Sequence, residues 1–216
     1  RGTYPNSSAR VPSWPMDKQE VVLAQLARMR GMTRYYHERF FSDTRIVVLL
    51  VLALLLIGWA GLSEAFLLVP VVALIGANQT AFDASYLYFA RHYAASLEAV
   101  INRSLGANTL RGAELEERYL FPLDTPKLVA VARPPGFTWF GWVTVFYTVL
   151  GILAFGAGLA LGWETLRNSG NEWTLFYLLS LAALTLGSLG AGYWWFVRGE
   201  GERRLRETLE GLGDPQ

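Results

Sequence analysis

The side chains equipped for chemistry gather around two stretches of this sequence. His37, Glu38, Asp43 and Arg45 precede one long apolar run, and Asp83, Arg91 and His92 follow a second. If the two runs form antiparallel helices about a turn near residue 63, their polar extensions lie side by side and these groups approach one another. Imidazoles and carboxylates so placed could hold a divalent cation or act as a proton-sensitive latch, because histidine titrates near neutrality. Their spacing matches no metal-ligand signature, so no metal is assigned. The simpler expectation is an ion-pair network, for example Asp83 with Arg45.

A second group, Asn78, Gln79, Thr80 and Asp83, stands where the second run loses its apolar character, with Gln79 and Asp83 one helical turn apart. Polar groups at that depth suit a pore mouth or solute vestibule, and the plainer expectation is a helix becoming water-soluble at an interface. Pro70, earlier in the same run, frees a backbone carbonyl and suggests a kink. Beyond these groups the inventory is thin. There is no cysteine, and no Ser–His–Asp arrangement, glycine-rich phosphate loop or HExxH string. No His, Cys or Met pair lies in the apolar runs to ligate haem, so no cofactor is expected. The reading is non-enzymatic, with an enzyme acting on a lipid ranked behind the alternatives below.

Positioning these groups falls to an apolar chain. Of 216 residues, 52% are hydrophobic and only 17% charged, and mean hydropathy is +0.26, which fits a membrane protein rather than a soluble domain. Lys and Arg total 19 against 18 Asp and Glu, so there is no basic excess for neutralising phosphates and nucleic acid is excluded as an expected partner. Four apolar runs stand out: 46–62, 65–82, 137–163 and 173–197. A helix needs roughly 20 apolar residues to cross about 30 Å of hydrocarbon, and the second run reaches that only if its polar end lies at the interface or against protein. The first run begins too far from residue 1 for an ordinary signal peptide, so the basic residues before it are expected to be retained.

The expected architecture is an all-α polytopic membrane protein with four transmembrane helices in two hairpins. It divides into an extended arm (1–16), an amphipathic helix (17–45), hairpin 1 (46–82), an extension of its second helix (83–105), a small insert (106–136), hairpin 2 (137–197) and a charged tail (198–216). Lys and Arg concentrate in 1–45, in the central segment and in the tail, whereas the two short connections hold only Arg167. This places both termini and the insert in the cytoplasm of a cell with the protein in its inner (plasma) membrane. Trp59, Trp163 and Trp173 should then mark one interface, and Trp139, Trp142, Trp194 and Trp195 the other.

Helical spacing of Val22, Leu26, Met29, Thr33, Tyr36 and Phe40 predicts a helix leading into the first run. Phe82, Tyr86, Phe89, Tyr93, Leu97 and Val100 or Ile101 continue the second, so one helix is expected from about Glu64 to Leu105. Its aromatic stripe wants a partner, either the 17–45 helix or a neighbouring subunit. In the insert, Leu128 to Ala132 reads as a short strand pairing with 108–115, making the insert irregular or two-stranded. Gly158 and Gly162 form a GxxxG, and Ser188 with Gly192 is its small-residue analogue, so close helix packing is expected there.

The layout of hairpin, insert, hairpin is similar in topology to the larger subunit of flagellar-stator proton channels. The long helix after a two-span hairpin also resembles small bacterial two-span effectors. No residue string is shared with either, so no functional residue is carried over. The leading expectation is a homo-oligomeric channel or pore-like protein for ions or small solutes, with Asn78, Gln79 and Asp83 near the cytoplasmic mouth. The alternative is an accessory or scaffold subunit of a larger membrane complex. Partners are thus the lipid bilayer and either further copies or other membrane subunits.

Overall fold

A computed structural model describes residues 18–119 and 139–210, with side chains for 20–116 and 142–210. All regular structure among the described residues is helical: α1 (Lys18–Trp59), α2 (Ala65–Leu105), α3 (Gly112–Tyr119), α4 (Trp139–Asn168), α5 (Asn171–Gly192), a π-helical turn at Tyr193–Val197, and α6 (Glu200–Glu210). Four helices are long and apolar enough to cross a membrane: α1, α2, α4 and the helix begun by α5. The arm and the expected strand Leu128 to Ala132 lie outside the described residues. Its expected partner is not a strand, because Gly112–Tyr119 forms the helix α3, whose Ala113, Glu114 and Glu116 to Glu117 favour that state.

α1 and α2 are each unbroken across the change from polar to apolar sequence. The short turn between Trp59 and Ala65 makes them run antiparallel, and small residues let them close. A Cβ on Gly76 would fall 2.5 Å from Val47, and one on Gly58 would fall 2.4 Å from the Phe66 ring. The polar halves, α1 before Ile46 and α2 after Phe82, pair into a stalk. Leu26, Met29, Phe40, Leu87, Ala94, Leu97 and Ile101 are buried along it, at the alternating spacing of three and four that keeps a seam facing a partner helix. α2 ends where Gly106 takes a left-handed conformation (φ 63°) and caps the last carbonyls.

The aromatic stripe expected to seek a partner finds most of it within the chain. Tyr93, Leu97 and Ile101 pack on Leu26 and Met29 of α1, and Phe89 and Tyr88 lie under Leu205 and Leu209 of α6. Phe82 and Tyr86 stay exposed, with Tyr86 stacked on Tyr36 at 4.8 Å. Burial, with the Glu202 carboxylate nearby, pushes the Tyr88 phenol up to about 12, so α6 covers a neutral hydroxyl.

α6 is turned back onto the stalk at Gly199 (φ 74°), and Arg204 lies over both Trp194 and Trp195 at 5.7 Å. Its first residue, Glu200, accepts hydrogen bonds from Arg203 (2.8 Å) and Arg204 (2.9 Å), which hold its carboxyl below the usual glutamate range. A carboxyl lowered on folding stabilises the folded form above its ordinary range and loses that contribution as pH falls through the lowered value. Acidification below the glutamate range is therefore expected to loosen α6, read as a change in tryptophan fluorescence. Glu200→Gln should flatten that acid limb; an unchanged limb would remove Glu200 as its cause.

α4 and α5 lean on α2 more than on each other. The expected GxxxG is used within the chain. A Cβ on Gly158 would meet Pro70 Cδ at 2.7 Å, Val69 Cβ at 2.8 Å and the Phe66 carbonyl oxygen at 3.0 Å, and one on Gly162 would meet Leu67 at 2.6 Å. Phe66 is the residue whose carbonyl Pro70, lacking an N–H, leaves without its usual helical donor. The second small-residue pair is only half used: Ser188 contacts α2, whereas Gly192 has nothing within 4 Å of a would-be Cβ.

Contact of α2 with α5 and the π-helical turn that follows it is polar and regular. Tyr177 donates to the Leu67 carbonyl (2.7 Å), Asn78 Nδ2 to Ser188 Oγ (2.8 Å) and Trp195 Nε1 to Ser85 Oγ (3.1 Å), each joining residues 110 apart. α5 is therefore parallel to α2 in constant register. Only Leu181 of α5 is buried, so these bonds carry much of its attachment, as polar side chains do between helices in lipid.

Candidate functional site

α1 and α2 bring part of the expected cluster together and disperse the rest. Asp83 is fully buried, and its carboxylate faces Arg39 Nε at 3.4 Å, with Gln79 Nε2 at 3.4 Å from both oxygens. Arg39 also contacts Asp43 at 3.4 Å and donates to Tyr35 at 3.4 Å. The guanidinium thus lies between two carboxylates from different helices. Asp83 does not pair with Arg45. Arg39 and Asp43, one turn apart, share the face towards α2, whereas Arg45 is exposed and its Nε donates to the Phe41 carbonyl at 3.1 Å.

The remaining members are committed elsewhere. Glu38 pairs with Arg34 at 3.0 Å on the exposed face. His37 packs edge-on against Phe41. His92 Nδ1 lies 2.9 Å from the Tyr88 carbonyl and its ring tilts over the Tyr88 ring at 4.0 Å. Among the described residues no three His, Asp or Glu side chains converge as a metal site would need. Of the three pore-mouth residues, Gln79 and Asp83 form one contact group, and Asn78, on a neighbouring face, is tied to Leu74 O and to Ser188.

Arg91 belongs to a network farther along the stalk. Its side chain is fully buried, and Nε donates to Glu116 of α3 at 3.2 Å. Arg30 of α1 pairs with the buried Glu98 and lies 3.7 Å from Glu116. The second oxygen of Glu98 accepts the Ala113 backbone N–H at 2.9 Å. Gly112 leaves the space into which Arg30 reaches, since a Cβ there would meet its guanidinium. Asn102 completes the attachment: its oxygen accepts the N–H groups of Thr109 and Leu110, and its amide donates to Leu110 O at 2.8 Å. Two positive and two negative side chains from three helices thus pin the start of the insert against the stalk.

Sequence reasoning placed Arg91 with the wrong group and missed Arg30, Glu98 and Glu116. A signal was present: Arg91 and Glu98 are seven residues apart in register with Leu87, Ala94 and Ile101, so two charges occupy seam positions that normally hold apolar side chains. A charge held there demands a partner. Comparison of the chain with protein-family models, curated proteins and solved structures finds no match.

Proposed function

We propose that this chain is a non-enzymatic integral membrane protein, with its two hairpins spanning the plasma membrane and both termini and the insert on the cytoplasmic side. It works by association, as an accessory or scaffold subunit of a larger membrane complex. One observation carries this reading over a pore: the polar groups that would line a conduction path are bonded within the chain, Asp83 to Arg39 and Gln79, and Asn78 to Ser188. Meanwhile α4 and α5 keep most of their surface for other membrane components. Gly151, Gly156, Gly187 and Gly190 have nothing within 4 Å of a would-be Cβ, and small residues of this kind let another helix approach closely. The stalk and α3 offer a braced platform for chains on the same side.

The homo-oligomeric channel remains a second reading, favoured by the exposure of Asn78 next to the stacked Gln79 and Asp83. The two readings separate on the mass of the protein in nanodiscs, with co-purifying chains identified. Unlike chains in fixed proportion support the accessory role; a uniform closed ring of this chain overturns it. In the ring case, Asp83→Ala in liposomes is expected to change conductance or selectivity, and unchanged values would remove Asp83 from the mouth. A lipid enzyme built on His37, Asp83 and His92 loses its geometric basis, because each of the three is committed to different neighbours.

A further inference from the structure

Helix register supplies a depth scale for the molecule. Trp59 adjoins the Gly58–Phe66 contact, and Trp163 adjoins the Gly162–Leu67 contact. The 110-residue offset sets Trp173 just before the start of α2. At the other end Trp195 bonds to Ser85, with Trp194 beside it. The register of Gly158 on Pro70 carries Trp142 to about the same level. Two rings of tryptophan thus stand some 20 residues apart along α2, or about 30 Å, the thickness of a bilayer's hydrocarbon core.

On that scale the four helices do not become polar at the same depth. Between the two tryptophan rings α4 and α5 carry no charge, from Trp163 to Trp142 and from Trp173 to Trp195. α1 and α2 become polar earlier: Asp83 and Arg39 lie just inside the ring, Asp43 and Gln79 farther in, and Arg45 is level with Asn78, given the contact of Val47 with Gly76. Arg45 is about 10 Å deeper than Trp195. Arg39 is held by two carboxylates, whereas the terminal nitrogens of the exposed Arg45 and the hydroxyl of the exposed Ser42, one turn earlier, have no bond among the described residues. Just beyond them Ile46 and Leu49 are 59% and 65% exposed, as lipid-facing residues would be.

We propose that Arg45 forms a seat for the phosphate of a phospholipid, on the exposed face it shares with Ser42, drawn about 10 Å deeper on the α1 side than beside α4 and α5. An uncompensated guanidinium in hydrocarbon is costly, and a phosphodiester is the acceptor a bilayer supplies. The bilayer's stalk-side leaflet is stepped around this protein, thin at α1 and full at α4 and α5. This inference rests on the membrane-spanning reading.

The chain contains no cysteine, so single cysteines can be placed freely in the 216-residue chain in phosphatidylglycerol vesicles. The useful positions are Ser42→Cys on α1 and, exposed at the same level by the register of Gly158 on Pro70 and of Ser188 on Asn78, Phe146→Cys on α4 and Ala191→Cys on α5. A water-soluble maleimide is expected to label the first and spare the other two. A nitroxide at residue 42 is expected to show magnetic coupling to lipid phosphorus that is lost in Arg45→Leu. Nitroxides at 146 and 191 should show none. Equal labelling at all three positions with phosphorus coupling at each means a flat boundary and overturns the step. Coupling at residue 42 that survives Arg45→Leu overturns the seat. Full labelling everywhere with no phosphorus coupling anywhere overturns the spanning reading itself.

Discussion

Replacing Arg91 with alanine is expected to lower the stability of the stalk by about 3–5 kcal/mol, the range for removing one partner of a buried ion pair. The Arg91 side chain is fully buried against Glu116, and Glu116 is shared with Arg30, which also holds Glu98. Truncation empties a fully buried site and leaves Glu116 at the joint of three helices with only the more distant Arg30, 3.7 Å away. Most of the loss is desolvation left unmatched rather than attraction forfeited, and that distinction is testable. The double replacement Arg91→Met with Glu116→Leu should recover much of the stability, because both charges leave together. Arg34→Ala, which removes a pair open to solvent, should cost under about 1 kcal/mol. Denaturation of the detergent-solubilised protein, followed by helical circular dichroism, measures all three. Arg91→Ala behaving like Arg34→Ala would mean that α3 is not braced by this network.

Gly158→Ala is expected to be the more damaging of two neighbouring glycine replacements on α4. Its methyl group would enter within 3.0 Å of Pro70 Cδ, Val69 Cβ and the Phe66 carbonyl oxygen, a ring atom, a Cβ and a backbone atom that no rotamer change can swing aside. Overpacking of this kind costs about 1–3 kcal/mol; Gly158→Leu should separate α4 from α2 altogether. Gly156→Ala, two residues away and with nothing within 4 Å, is the matched control and should leave the melting temperature unchanged or slightly raised, since alanine favours a helix. Equal effects at 156 and 158 would show that helix propensity, not the fit on Pro70, governs this stretch.

Sequence periodicity and stop signals made the long helices legible. α2 could be drawn to within a residue of its observed start, and its end at Leu105, because apolar residues recur at helical spacing through Phe82 to Ile101 and Gly106 terminates them. The pairings across helices were not legible in the same way. Choosing Arg39 over Arg45 as the partner of Asp83 depends on the rotation of α1 about its axis. That rotation is fixed by close contacts such as Val47 on Gly76, which periodicity leaves open. The insert was misread at 108–115 because turn residues and a short apolar run gave no length by which to separate strand from helix. Likewise the GxxxG announced a close approach, and only the folded chain shows that its target is the proline-bearing turn of α2.

The three bonds that join α2 to α5 and its π-helical turn have a further consequence. They fall at residues 67, 78 and 85 on one helix and 177, 188 and 195 on the other, so successive intervals are unequal, three turns and then two. Sliding α5 by two turns would realign at most one donor with a former acceptor site, as would sliding it by three, and a one-turn slip would realign none. The pair works as a key whose teeth are unevenly cut: there is one position in which it engages fully. In a lipid environment, where apolar surface alone would let a helix slip past its neighbour, that uneven spacing encodes the address at which α5 stops.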